Sequence, residues 1–156
     1  MRKNMLIWWG SNAFNEYAAP IITRLADHFN IVIMIWNFSI EKQEIEILEN
    51  WILNGIIVKY LLTPQNSTRL EFHRYMKKET ANLRVYDFDF WLTPSDMQIP
   101  ERYIKERALS KKCISVCIKF DNTNLLGHNE IYIRKLMKNE SDAQPRFVRA
   151  KKYNHQ

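Results

Sequence analysis

Five apolar runs of strand length divide the chain: MLIWW at 5–9, IVIMIW at 31–36, IIVKYLL at 56–62, FDFWL at 88–92 and CISVCI at 113–118. Most are near-continuous rather than alternating. Such runs suit strands buried on both faces, which is the situation of a parallel sheet. Between them lie four segments with helical spacing. Residues 20–28 place Ile21, Leu25 and Phe29 on one face, with Pro20 in the first turn. Residues 41–53 place Ile45, Leu48 and Ile52 together, with Ser39 as the expected cap and Asn54-Gly55 as the stop. Residues 67–83 form a long basic segment with Leu70, Met76 and Leu83 as its apolar positions. Residues 98–109 turn Tyr103, Ile104 and Ala108 inward. Strict strand–helix alternation predicts an α/β fold, a Rossmann-like three-layer domain around a five-stranded parallel sheet.

The expected domain spans residues 1–125, and 126–156 add a short helix near 131–137 and a basic polar tail. With 156 residues, of which 46% are hydrophobic and 26% charged, the chain has material for one real core. Three Gly and five Pro leave little room for a linker. The apolar run at 5–9 is too short for a secretory core or a membrane span, so the expected location is cytoplasmic. Cys113 and Cys117 share one face of a strand and are expected as buried reduced thiols. No Cys/His spacing offers four metal ligands.

Ligands of open parallel sheets bind beyond the carboxyl ends of the strands. The segments that leave those ends are Gly10-Ser11-Asn12, Asn37-Phe38-Ser39, Thr63-Pro64-Gln65-Asn66, Thr93-Pro94-Ser95-Asp96 and Asp121-Asn122-Thr123-Asn124. All are small and polar. Such residues also cap helices and form turns, and that plain explanation competes at every position. The candidate ligand-binding residues are Gly10, Ser11, Asn12, Asn37, Thr63, Ser95 and Asp96. Pro94 ends strand pairing; Asp96 is expected as a helix cap and Ser95 as the crevice-facing neighbour.

The first loop, WWGSNAFNEYAAP, has one Gly, so it is neither a dinucleotide fingerprint nor a P-loop. No cofactor is expected. Glu16 is the carboxylate nearest this loop and the candidate general base; a Glu there also favours a helix amino terminus. Asp87-Phe88-Asp89 spells a metal–diphosphate pattern, but it falls at the start of the fourth strand, on the edge opposite the ligand edge.

Charge is uneven. Residues 1–66 carry five Lys/Arg and six Asp/Glu, and the rest carry eighteen and eleven. The surplus suits an anionic partner or is a solvated lysine-rich surface. RLEFHRYMKK at 69–78 and RFVRAKKY at 146–153 interleave cations with aromatics, yet no nucleic-acid module is legible. At helical spacing, Phe72 and Tyr75 read as core.

WWGSNAFNEYAAPIITRLADHF resembles the first loop and helix of the amino-terminal domain of GT-B glycosyltransferases of bacterial surface-polysaccharide synthesis. Gly10 matches the loop, and Pro20 and Leu25 match the helix. DFWLTPSD and KKCISVCIKFD are similar in layout to that domain's later strands. The resemblance covers roughly residues 4–125. It implies an acceptor-side domain of an enzyme that transfers sugar from a nucleotide-sugar donor. It also implies a donor-binding partner domain or subunit outside this chain, and an anionic lipid-linked acceptor or membrane surface as partner. The alternative is a non-catalytic Rossmann-like binding or interaction module.

Overall fold

The computed structural model describes residues 1–9, 18–37, 40–93 and 99–117. Strands β1 (Lys3–Trp9), β2 (Phe29–Ile35), β3 (Lys59–Leu62), β4 (Phe90–Thr93) and β5 (Ile114–Cys117) form one sheet. Every pairing is parallel, and the order is β3-β2-β1-β4-β5. Helices α1 (Ala19–Leu25), α2 (Lys42–Leu53), α3 (Arg69–Leu83) and α4 (Ile99–Tyr103) connect them. This is the three-layer, Rossmann-like α/β fold that the alternation predicts.

The continuous apolar runs are explained by burial on both faces. In β1, Met5, Ile7 and Trp9 join the core under α1 and α2, and Leu6 and Trp8 join the core under α3 and α4. β2 divides the same way, with Ile31, Ile33 and Ile35 on one side and Val32 and Met34 on the other. Ile22 anchors α1, Leu48 and Trp51 anchor α2, and Met76 and Leu83 anchor α3.

Several local expectations shift. α2 buries Trp51, while Ile52 points outward at 36% exposure. Leu70 on α3 is likewise exposed, and Thr80 takes an inward position. Glu41 occupies the position before α2 and gives no side-chain cap; Ser39 lies outside the described residues. Gly55 does end α2, at φ +70, where a side chain would be strained. Its N–H donates to Ile52 O, and the Ile56 N–H donates to Trp51 O. The fourth helix is α-helical only to Tyr103 and continues as a π-helical turn, Ile104–Ala108. That turn still buries Ile104 and Ala108. Among the described residues β5 is an edge strand, and its Ile114 and Val116 are 49% and 39% exposed. Cys113 is buried and Cys117 only half-buried. The expected short helix near 131–137 lies outside the described residues.

Candidate functional site

The carboxyl ends of β2 and β3 are tied together by side chains that the sequence places there. Trp36 N–H donates to Trp9 O at 2.8 Å, and Thr63 N–H donates to Ile35 O at 3.0 Å, so ladder bonding runs past the strand ends. Asn37 N–H then donates to the Thr63 hydroxyl oxygen at 2.8 Å. The Asn37 side-chain oxygen accepts from Ile40 N–H at 3.2 Å. Thr63 is buried and works as a structural acceptor. Asn37 lines a crevice, and its side-chain NH₂ has no bond among the described residues.

That crevice has a volume of roughly 780 Å³. Trp36, Phe72 and Pro64 form apolar wall, and Ile99 and Pro100 contribute from α4. Asn37, Gln65, Asn66, Ser67, Thr68, Arg69, His73 and Arg102 bring the polar atoms. Asn66 has a φ of 53, the left-handed geometry that Asn tolerates in a tight turn. The turn delivers the chain into α3 through a capping box. Thr68 Oγ1 accepts from Glu71 N–H at 3.2 Å, and Glu71 Oε2 accepts from Thr68 N–H at 2.9 Å. Thr-x-x-Glu is legible as text, although residue 67 is the expected start of the helix.

A side pocket of roughly 340 Å³ shares His73, Ile99 and Arg102 with the crevice and adds Tyr103 and Glu106. His73 Nδ1 and the Tyr103 hydroxyl are 2.6 Å apart. Rings run from the core to this point. Trp8 stacks on Trp36 at 6.1 Å, Trp36 meets Phe72 at 5.9 Å, and His73 lies edge-on to Tyr103 at 5.6 Å. The nearby Tyr75 hydroxyl is held far above its ordinary pKa, first by burial and then by Glu79, so it stays protonated.

Of the sequence-predicted site residues, Asn37 and Thr63 meet at one point, and Asn37 alone of the two faces the crevice. Gly10, Ser11, Asn12, Glu16, Ser95 and Asp96 lie outside the described residues. Arg69, His73, Arg102 and Tyr103 were not singled out as site residues. His73 and Tyr103 are thirty residues apart, so no local pattern marks them as a pair.

Asp87 and Asp89 sit at the amino edge of the sheet, as expected. Asp89 accepts from Asn4 N–H at 3.0 Å, and Lys112 reaches Asp87 at 2.7 Å and Asp89 at 3.7 Å. The Asp87 hydrogen bond is the main cause that raises the Lys112 pKa. Among the described residues, no three His, Cys, Asp or Glu side chains converge as a metal site. No helix among them is long and apolar enough to cross a membrane.

Comparison with family models, with curated proteins and with solved structures finds no match to this chain.

Proposed function

We propose that this chain is the acceptor-side domain of a GT-B-like glycosyltransferase, and that the crevice takes an acidic, ring-bearing acceptor such as a sugar phosphate. The observation that carries this reading is the crevice itself. Arg69 and Arg102 flank it from two helices, Asn37 brings an amide donor with no bond among the described residues, and Trp36 and Phe72 supply apolar wall. Arginine is suited to oxyanions because its planar fork donates two parallel hydrogen bonds. The sheet order supports the reading too, since ligands of doubly wound sheets lie beyond the strands' carboxyl ends. The donor nucleotide-sugar then belongs to a separate domain or subunit, and a phosphorylated lipid at the inner membrane face is a natural source of such an acceptor.

Calorimetric titration of the purified chain tests the binding step. A hexose 1-phosphate should bind, the neutral hexose should not, and Arg102→Ala should remove most of the affinity. Equal binding of both sugars overturns the reading. With labelled nucleotide sugar, this chain alone should transfer nothing.

One observation favours a non-catalytic binding module instead. The described lining of the main crevice contains two arginines and a histidine but no carboxylate to serve as base. Phosphate binding that never supports transfer, whatever donor domain is added, decides for that module.

A further inference from the structure

We propose that His73 binds the ligand's oxyanion as a hydrogen-bond donor through Nε2–H, and that the Tyr103 hydroxyl fixes it in that tautomer. The inference rests on the reading of the crevice as an anion site and names what its central imidazole does there.

A neutral imidazole has one donor nitrogen and one acceptor nitrogen, and the partner of one decides the role of the other. Here the partner of Nδ1 is a phenol at 2.6 Å. Of the two neutral groups, phenol is the stronger acid and imidazole the stronger base. The favourable arrangement is therefore Tyr103 O–H donating to the Nδ1 lone pair. The proton then resides on Nε2. A carboxylate on Nδ1 would do the reverse, drawing Nδ1–H and freeing Nε2 as a base, as in the Ser-His-Asp arrangement. Replacing that carboxylate by a tyrosine hydroxyl turns the imidazole from a base into a donor.

The surroundings fit an anion. His73 lines both the crevice and its side pocket, and no described residue bonds its Nε2. Arg69 stands one turn earlier on α3, and Arg102 stands on α4 beside Tyr103. Glu106, on the π-helical turn, lines the side pocket but not the main crevice. An oxyanion between Arg69, His73 and Arg102 thus meets three donors.

Long-range ¹H–¹⁵N spectra of the imidazoles in the full chain, recorded where the signals themselves report neutral imidazole, test the tautomer directly. The His73 signals are assigned by their loss in His73→Gln. An Nε2–H pattern is expected; an Nδ1–H pattern overturns the proposal whether or not ligand binds. Titration with a hexose 1-phosphate tests the role. Gln places an amide donor near the Nε2 position, and Asn places one near Nδ1. His73→Gln should stay within about threefold of wild type, and His73→Asn should lose about tenfold or more, the worth of a hydrogen bond to a charged group. Tyr103→Phe should show a smaller loss with a mixed-tautomer spectrum. If Arg102→Ala abolishes binding while Gln, Asn and wild type bind alike, the role of His73 falls and the crevice reading stands. If neutral hexose binds as well as the phosphate, both fall, and unchanged melting of the variants excludes misfolding as the cause.

Discussion

The α1/α2 layer and the α3/α4 layer press on opposite faces of one sheet, yet they differ in charge, in capping and in what they leave open. α2 and its lead-in carry Glu41, Glu44, Glu46 and Glu49 against Lys42. Burial and the neighbouring Glu41 raise the Glu44 carboxyl above its usual range. α3 and the turn after it carry Arg69, Arg74, Lys77, Lys78 and Arg84 against Glu71 and Glu79. α3 starts with a capping box, whereas α2 starts with no side-chain cap. Trp36, Phe72 and Pro100 line an open crevice beside the second layer, while the first layer closes over Ile22, Leu48 and Trp51. A shared apolar sheet fixes where each layer sits, and it leaves solvent-facing residues free to differ. The second layer uses that freedom to build a basic edge.

The largest effects are expected at the buried anchors of the two layers. Leu48→Ala on α2 and Met76→Ala on α3 each remove a fully buried side chain. Each should cost about 2–5 kcal/mol in denaturant unfolding. A loss under about 1 kcal/mol in either variant means that layer is not held as described.

Ligand affinity should separate the layers next. Arg102→Ala should weaken hexose 1-phosphate binding by about tenfold, and rising salt should weaken wild-type binding as exposed charges are screened over about 10 Å at 0.1 M. Lys42→Ala on the acidic layer should leave the isotherm unchanged. Equal losses in both variants would mean that binding follows net charge and not the crevice.

Helix capping gives a smaller contrast of opposite sign. Thr68→Ala breaks the α3 capping box and should cost about 1 kcal/mol. Glu41→Ser supplies a hydroxyl at an extended, uncapped position and removes the charge that crowds Glu44, so it should stabilise by about 0.5 kcal/mol. Thermal melts of the two variants moving in the same direction contradict this assignment.

The smallest effect concerns Cys113 in the second layer. Burial, with Asp89 as the next cause, pushes its thiol above its ordinary value, up to about 11. The folded pKa is the raised one. Its contribution is therefore fully present below about pH 9 and is lost as pH rises through about 11. Cys113→Ala should flatten that alkaline decline in stability, measured by urea midpoints across the window. A thiol reagent on the native protein should modify half-buried Cys117 before Cys113.

Much of this was legible in the chain as text. Unbroken apolar runs such as IVIMIW required strands covered on both sides, and their alternation with helical spacing required parallel pairing and layered helices. Gly55 marked a helix end because its backbone must turn through positive φ. These are local signals, carried by residues a few positions apart. The helix faces were read less well. Ile52 and Trp51 stand one residue apart, and only the packing of α2 on the sheet put Trp51 in the core and Ile52 outside it. Tertiary structure alone decided the strand order, because which strand lies beside β1 depends on pairings between distant segments. It also decided the site. Asn37 meets Thr63, and His73 meets Tyr103, across gaps of 26 and 30 residues. Residue types marked the carboxyl-end edge of the sheet as polar, and chain crossovers chose which side chains face one another there.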